Sequence, residues 1–169
     1  MIRPILRYGD AALHARARPV DTFDQALHQL LSDMAETMYA APGVGLAAPQ
    51  IGVLLRVVVI DVTVGKKRGE LHELVNPVLV SCEGMQMEEE GCLSLPGFNA
   101  TVVRPTRAVV KAMDRDGRDV VIEGTDLLAR ALQHELDHLE GSLFVDRLRG
   151  IRRDVIVRKV QKLRRAGKW

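Results

Sequence analysis

Two cysteines in 169 residues leave no basis for a disulfide framework, and no apolar run approaches the roughly 20 residues that span a bilayer. No secretory segment opens the chain between Met1 and Asp10. Together with the two isolated thiols this predicts a reducing cytoplasm, and the lack of a transit peptide favours a bacterial cytosol over an organelle. No charge of one sign dominates, because 24 basic side chains against 22 acidic ones give a net charge of +2, which selects no partner by itself. No internal repeat or linker divides the sequence, so its length predicts one domain over 1–169 with its own core.

What the chain does contain is His134-Glu135-Leu136-Asp137-His138. Two histidines four apart on a helix project to one face and can grip one metal ion, with the intervening glutamate beside it as a general base for hydrolysis. The alternative is an ordinary helix with exposed His and Glu. The local signals favour a well-delimited helix: Thr125 is placed to cap its start, Asp126 suits the first-turn dipole, and Gly141 follows as a stop.

A catalytic metal usually takes three protein ligands and leaves a position open. No histidine follows His138, and the only later glutamate, Glu140, points about 200° round the axis from it, so the third ligand lies upstream. Cys92 is the better thiolate candidate, in Glu90-Gly91-Cys92-Leu93-Ser94-Leu95-Pro96-Gly97, where glycines and proline bend the backbone. Cys82 follows a strand-like apolar stretch and reads as a small buried or edge residue.

A third segment, Gly43-Val44-Gly45-Leu46-Ala47-Ala48-Pro49-Gln50-Ile51-Gly52, lets backbone approach something closely. It is equally readable as a loop between helix and strand. It lacks the lysine of a phosphate-binding loop and does not follow a strand, which argues against nucleotide binding. Gln50 is its one chemically active side chain, able to donate to a developing oxyanion.

These three segments carry a resemblance to the peptide deformylase family, whose motifs G-x-G-x-A-A-x-Q-x-G, E-G-C-x-S and H-E-x-D-H occur here in the same order. The resemblance implies that Cys92, His134 and His138 bind one divalent metal, ferrous iron in the cell, with zinc, nickel or cobalt as substitutes. It implies Glu135 as general base and acid, and Gln50 with the Leu93 backbone N–H as the donors holding the formyl oxygen. The implied substrate is an N-formylmethionyl nascent chain, added as a strand along Val44, Gly45 and Gly91. Leu127 and Ala131 fall one or two turns before His134, near its face, and can line a methionine pocket. Arg130 reads as a core-edge residue whose charge snorkels outward.

Two other classes remain open, a different small metallopeptidase and an inactive ribosome-binding homologue. The missing downstream ligand disfavours the first, and the intact Cys92, Gln50 and Glu135 disfavour the second.

Elsewhere, Thr22 with Gln25 fits a capping box, and Leu27, Leu30, Leu31, Met34 and Met38 follow helical spacing. Strands are predicted over 56–62, 71–80, 101–104, 108–113 and 120–123, with a turn at Asp116-Gly117. Helices and strands do not alternate, so the expected fold is α+β, a central metal-binding helix packed on antiparallel or mixed sheets. A basic carboxy-terminal helix over about 150–166 is expected to dock through Val155, Val160 and Leu163. Its cationic face is either simply solvated or a contact for ribosomal RNA; nothing in the chain predicts a membrane or DNA partner.

Overall fold

The computed structural model describes residues 1–169. The elements run α1 (Gln25–Ala40), β1 (Gly45–Ala47), β2 (Val57–Ile60), β3 (His72–Glu83), β4 (Gln86–Gly91), β5 (Asn99–Arg104), β6 (Arg107–Met113), β7 (Asp119–Thr125), α2 (Asp126–Leu139) and α3 (Ile151–Arg165). The fold is α+β with three helices and two antiparallel sheets, one of five strands ordered β1-β2-β3-β6-β7 and one hairpin, β4-β5. No helix is long and apolar enough to cross a membrane.

The four residues of β2, Val57-Val58-Val59-Ile60, explain the layering. All are buried, and alternate side chains point to opposite faces of a strand. Val57 and Val59 join Leu27, Leu31, Met34 and Met38 of α1 on one face; Val58 and Ile60 join Ala131, Leu132 and Leu139 of α2 on the other. Each fully buried Leu, Ile or Met contributes about 1.5–3 kcal/mol of transfer free energy, so α2 is clamped to the sheet along most of its length.

α1 begins slightly later than the capping-box reading placed it. Asp24, not Thr22, is the cap, and its carboxylate accepts from the Leu27 N–H at 3.0 Å. Thr125 stands at the cap position of α2, but its hydroxyl accepts no helix N–H. The start of α2 is fixed instead by tertiary bonds: Asp126 N–H donates to Thr106 O and the Gln86 amide donates to Asp126 O. Gly141 does stop the helix, with φ +78, and a Cβ there would sit 2.8 Å from the His14 backbone.

α3 docks on a separate cluster with Leu13, Leu95, Val102, Phe144 and Leu148. Its buried seam is Ile156 and Val160; Val155, expected on that seam, is exposed. A shift of one residue turns a helix by about 100°, enough to move Val155 off the face that Ile156 occupies. Cys82 is likewise exposed, within β3 rather than after a strand.

Candidate metal centre

α2 delivers His134, Glu135 and His138 from buried positions, while the turn after β4 delivers Cys92. One ligand atom from each of Cys92, His134 and His138 lies within 4.8 Å of the others. The two Nε2 atoms are 3.3 Å apart and Cys92 Sγ is 3.4 Å from His138 Nε2. Two nitrogens bound at about 2.0–2.1 Å in a tetrahedral shell stand about 3.3–3.4 Å apart, so these donors are already spaced as ligands.

The two imidazoles are driven in opposite directions. Burial pushes His134 down, but Cys92 and Glu90 outweigh it and hold the imidazole well above its ordinary value; His138 is pushed well below by burial and by His134. A proton shared among a thiol and two facing lone pairs is a poor substitute for a divalent ion that satisfies all three.

Glu90 orients the first histidine. Its Oε1 accepts from His134 Nδ1 at 2.6 Å, which fixes the tautomer with Nε2 free to ligate. Arg104 grips both oxygens of Glu90 at 2.8 and 2.6 Å, and Arg130 adds a third hydrogen bond at 2.6 Å. Burial alone would raise this carboxyl, but the hydrogen bonds from His134 and Arg104 overturn that and hold it down at about 2. Arg104 continues to Asp137, which Arg147 clamps at 2.6 and 2.8 Å. Sequence reasoning assigned no role to Glu90, Arg104 or Asp137. One signal was available for Arg104: strand alternation puts it on the same inward face as Val102.

Arg130 does not snorkel outward. It is 5% exposed, because Glu90, Gln86 and the Val102 carbonyl all receive its N–H groups inside the protein.

Glu135 stands beside the donors, 4% exposed, with Oε2 unpartnered. Burial pushes its carboxyl up to about 7, with His134 pulling the other way. Gly45 comes so close that a Cβ would lie 2.6 Å from Glu135 Oε1, so any larger residue there would displace the Glu135 carboxylate. Gln50 is locked from both ends: Oε1 accepts from Ala47 N–H at 2.9 Å, and Nε2 donates to Ser94 Oγ at 3.1 Å and lies 3.7 Å from Cys92 Sγ. The amino-terminal segment straps this corner down, Leu6 N–H to Gln50 O and Tyr8 N–H to Ser94 O. The Leu93 N–H has no acceptor within the protein.

A cavity of about 280 Å³ opens onto these groups, lined by Val44, Gly45, Gly91, Leu93, Leu127 and Ala131 together with Gln50, Cys92, His134 and Glu135. The segment carrying Val44 and Gly45 was readable as loop; it forms the short edge strand β1 and a 3-10 turn over Ala48–Ile51. β1 and β4 thus face the cavity from two different sheets. A larger groove, about 810 Å³, lies on another face of α2 among Gln133, Leu136 and Arg147, but no nucleophile or ligand set converges on it.

Comparison with known proteins finds the family described as Polypeptide deformylase matching residues 2–154. A peptide deformylase of Acidobacterium capsulatum is 47% identical over all of this chain and 99% of its own length, and one from Acetivibrio thermocellus is 52% identical over 97% of this chain and 94% of its own. A crystal structure of a peptide deformylase from Legionella pneumophila superposes with a TM-score of 0.92 at 51% identity, covering 99% of this chain and 98% of that one.

Proposed function

The chain belongs to the polypeptide deformylase family, metal-dependent enzymes that remove the formyl group from N-formylmethionyl nascent peptides, and we propose how its own residues divide that work. The observation that carries the assignment is the convergence of three ligand atoms within 4.8 Å beside a buried carboxylate with a free oxygen.

Cys92, His134 and His138 hold the metal, with Glu90 keeping His134 in the ligating tautomer. A divalent ion bound there supplies Lewis acidity, lowering the pKa of water and polarising the formyl carbonyl. One thiolate and two imidazoles accommodate ferrous iron and zinc alike; we assign iron as the metal in the cell, with zinc, nickel or cobalt able to replace it.

Glu135 takes the proton of the attacking water and gives it to the leaving amine, so that formate and a free amino terminus are released. A carboxyl poised at about 7 can do both near neutral pH. Gln50 Nε2 and the Leu93 N–H donate to the formyl oxygen as the carbon becomes tetrahedral, each donor contributing about 3 kcal/mol. The methionine side chain sits against Leu127 and Ala131, and the peptide backbone pairs with the edges offered by Val44, Gly45 and Gly91. The whole of 1–169 works as one catalytic unit, in a bacterial cytosol, with α3 touching ribosomal RNA through its basic face.

The test is formate release from formyl-Met-Ala-Ser by anaerobically purified protein, with metal determined on the same sample and Cys92→Ser alongside. About one metal per chain and formate production, both lost in Cys92→Ser, is the expected result. Metal binding without formate would leave a hydrolase of another substrate, and removal of acetyl as readily as formyl would favour the small-peptidase reading.

A further inference from the structure

We infer that the nascent chain leaves the catalytic cavity over Glu89 and lies in the groove between β5 and α3, where Ile151 and Val155 hold an apolar side chain of the substrate. This rests on the deformylase reading of the site and adds to it a second, downstream contact.

The cavity measures about 280 Å³, below the roughly 300–1,000 Å³ of sites that bury drug-sized ligands. It has room for one side chain and the formyl group, so a longer substrate must continue outside it. At one end Leu93 packs onto Gly43, where a Cβ would lie 2.8 Å from Leu93 Cδ1, and beyond it lies the smaller groove, about 330 Å³, beside Arg3 and Pro96. At the other end Glu89 lines both this cavity and the larger groove, about 660 Å³, that contains Asn99, Thr101, Ile151, Val155 and Lys159. Asn99 marks the passage, its Oδ1 lying where a Cβ on Gly91 would come within 2.5 Å.

Two apolar side chains on the groove have no structural explanation. Ile151 is 76% and Val155 42% exposed, although Ile156 and Val160 already satisfy the docking of α3. Crossing the β4-β5 hairpin covers about 10 Å, two strand spacings, so the groove receives the residue about three to five positions after the methionine.

The experiment measures kcat/KM by formate release for formyl-Met-Ala-Ser, for formyl-Met-Ala-Ser-Ala-Leu-Ala-Ser-Ala, and for the same octapeptide with Ser in place of Leu. The wild type should favour the Leu octapeptide roughly five- to tenfold, mainly through KM, because a groove contact binds ground and transition states alike. Ile151→Ser with Val155→Ser should reduce that substrate to the tripeptide value and leave the tripeptide unchanged. Equal values for all three in the wild type, or an advantage that survives the double substitution, would overturn the proposal. So would a wild-type dimer that the double variant converts to monomer, since the groove is then a self-contact. Amide NMR shifts at 151 and 155 with the unformylated octapeptide, absent with the tripeptide, detect the same contact without turnover. If no substrate is deformylated but these shifts appear, the downstream contact stands and the assignment of catalytic residues fails.

Discussion

Two helices of nearly equal length meet the rest of the protein in opposite ways. α2 buries nine of its 14 residues, including Arg130, His134, Glu135 and His138; α3 buries two of its 15, Ile156 and Val160. The charges of Arg130 and Asp137 on α2 are answered from other elements, by Glu90 of β4, Arg104 of β5 and Arg147 of the turn beyond the helix, while Glu135 is left with a free oxygen and a raised pKa. Those of α3 largely meet solvent, apart from Arg152 on the Thr101 carbonyl and a loose Arg153–Asp146 pair at 3.9 Å. A buried charge keeps its ordinary ionisation when partners are supplied in place and is pushed toward its neutral form when they are not, which sets Glu135 apart from its paired neighbours. The family match also ends at residue 154, near the start of α3.

That contrast breaks most visibly at Glu135. Glu135→Ala should lower deformylation by about 10²–10⁴-fold while metal content, measured on the same protein, stays at the wild-type level. A variant with the wild-type rate would remove Glu135 from the chemistry. Next in size, Leu132→Ala opens a cavity between α2 and the sheet and should cost about 2–5 kcal/mol in urea unfolding. Glu90→Gln should weaken metal binding by about 10–100-fold in a chelator competition, since a neutral amide oxygen holds the His134 Nδ1–H less strongly than the carboxylate does.

A pH series in the metal-free protein separates the two carboxylates of the site. The carboxyl of Glu135 is raised by folding, so its contribution is fully present below the unfolded value near about 4.3 and is lost as pH rises through about 7. That of Glu90 is depressed, so its contribution is present above that same value and is lost as pH falls through about 2. Unfolding midpoints for wild type, Glu135→Gln and Glu90→Gln should show the two slopes disappearing separately. The smallest effects belong to α3: Arg158→Ala with Lys162→Ala should change stability by no more than about 0.5 kcal/mol. The same pair should reduce cosedimentation with ribosomes at low salt; unchanged cosedimentation would make the face merely solvated.

Much of the molecule was legible because helix period and motif spacing are local. The α2 face, the Leu27 to Met38 stripe of α1 and the extent of α3 follow from residues three and four apart. β4 was not legible, since Gln-Met-Glu-Glu-Glu-Gly is poor strand sequence and forms only because β5 pairs with it. Missing β4 had a consequence at Arg130: without Glu90 in place, an arginine on that face has no reason to turn inward. β1 escaped for a related reason, being three residues of Gly-Leu-Ala whose only strand partner is β2. The cap of α1 was misplaced by competition, because Asp24 lies closer to the first turn than Thr22.

The two open strand edges at the cavity carry one more implication. Unpaired backbone is the usual template for aggregation, and this molecule keeps two such stretches facing each other. β1 is only three residues long and buried, and the longer, exposed β4 carries the charges of Glu88 and Glu89, which discourage an intruding strand from another molecule. One edge is limited by its length and the other by its charge, so neither invites a second copy of the chain.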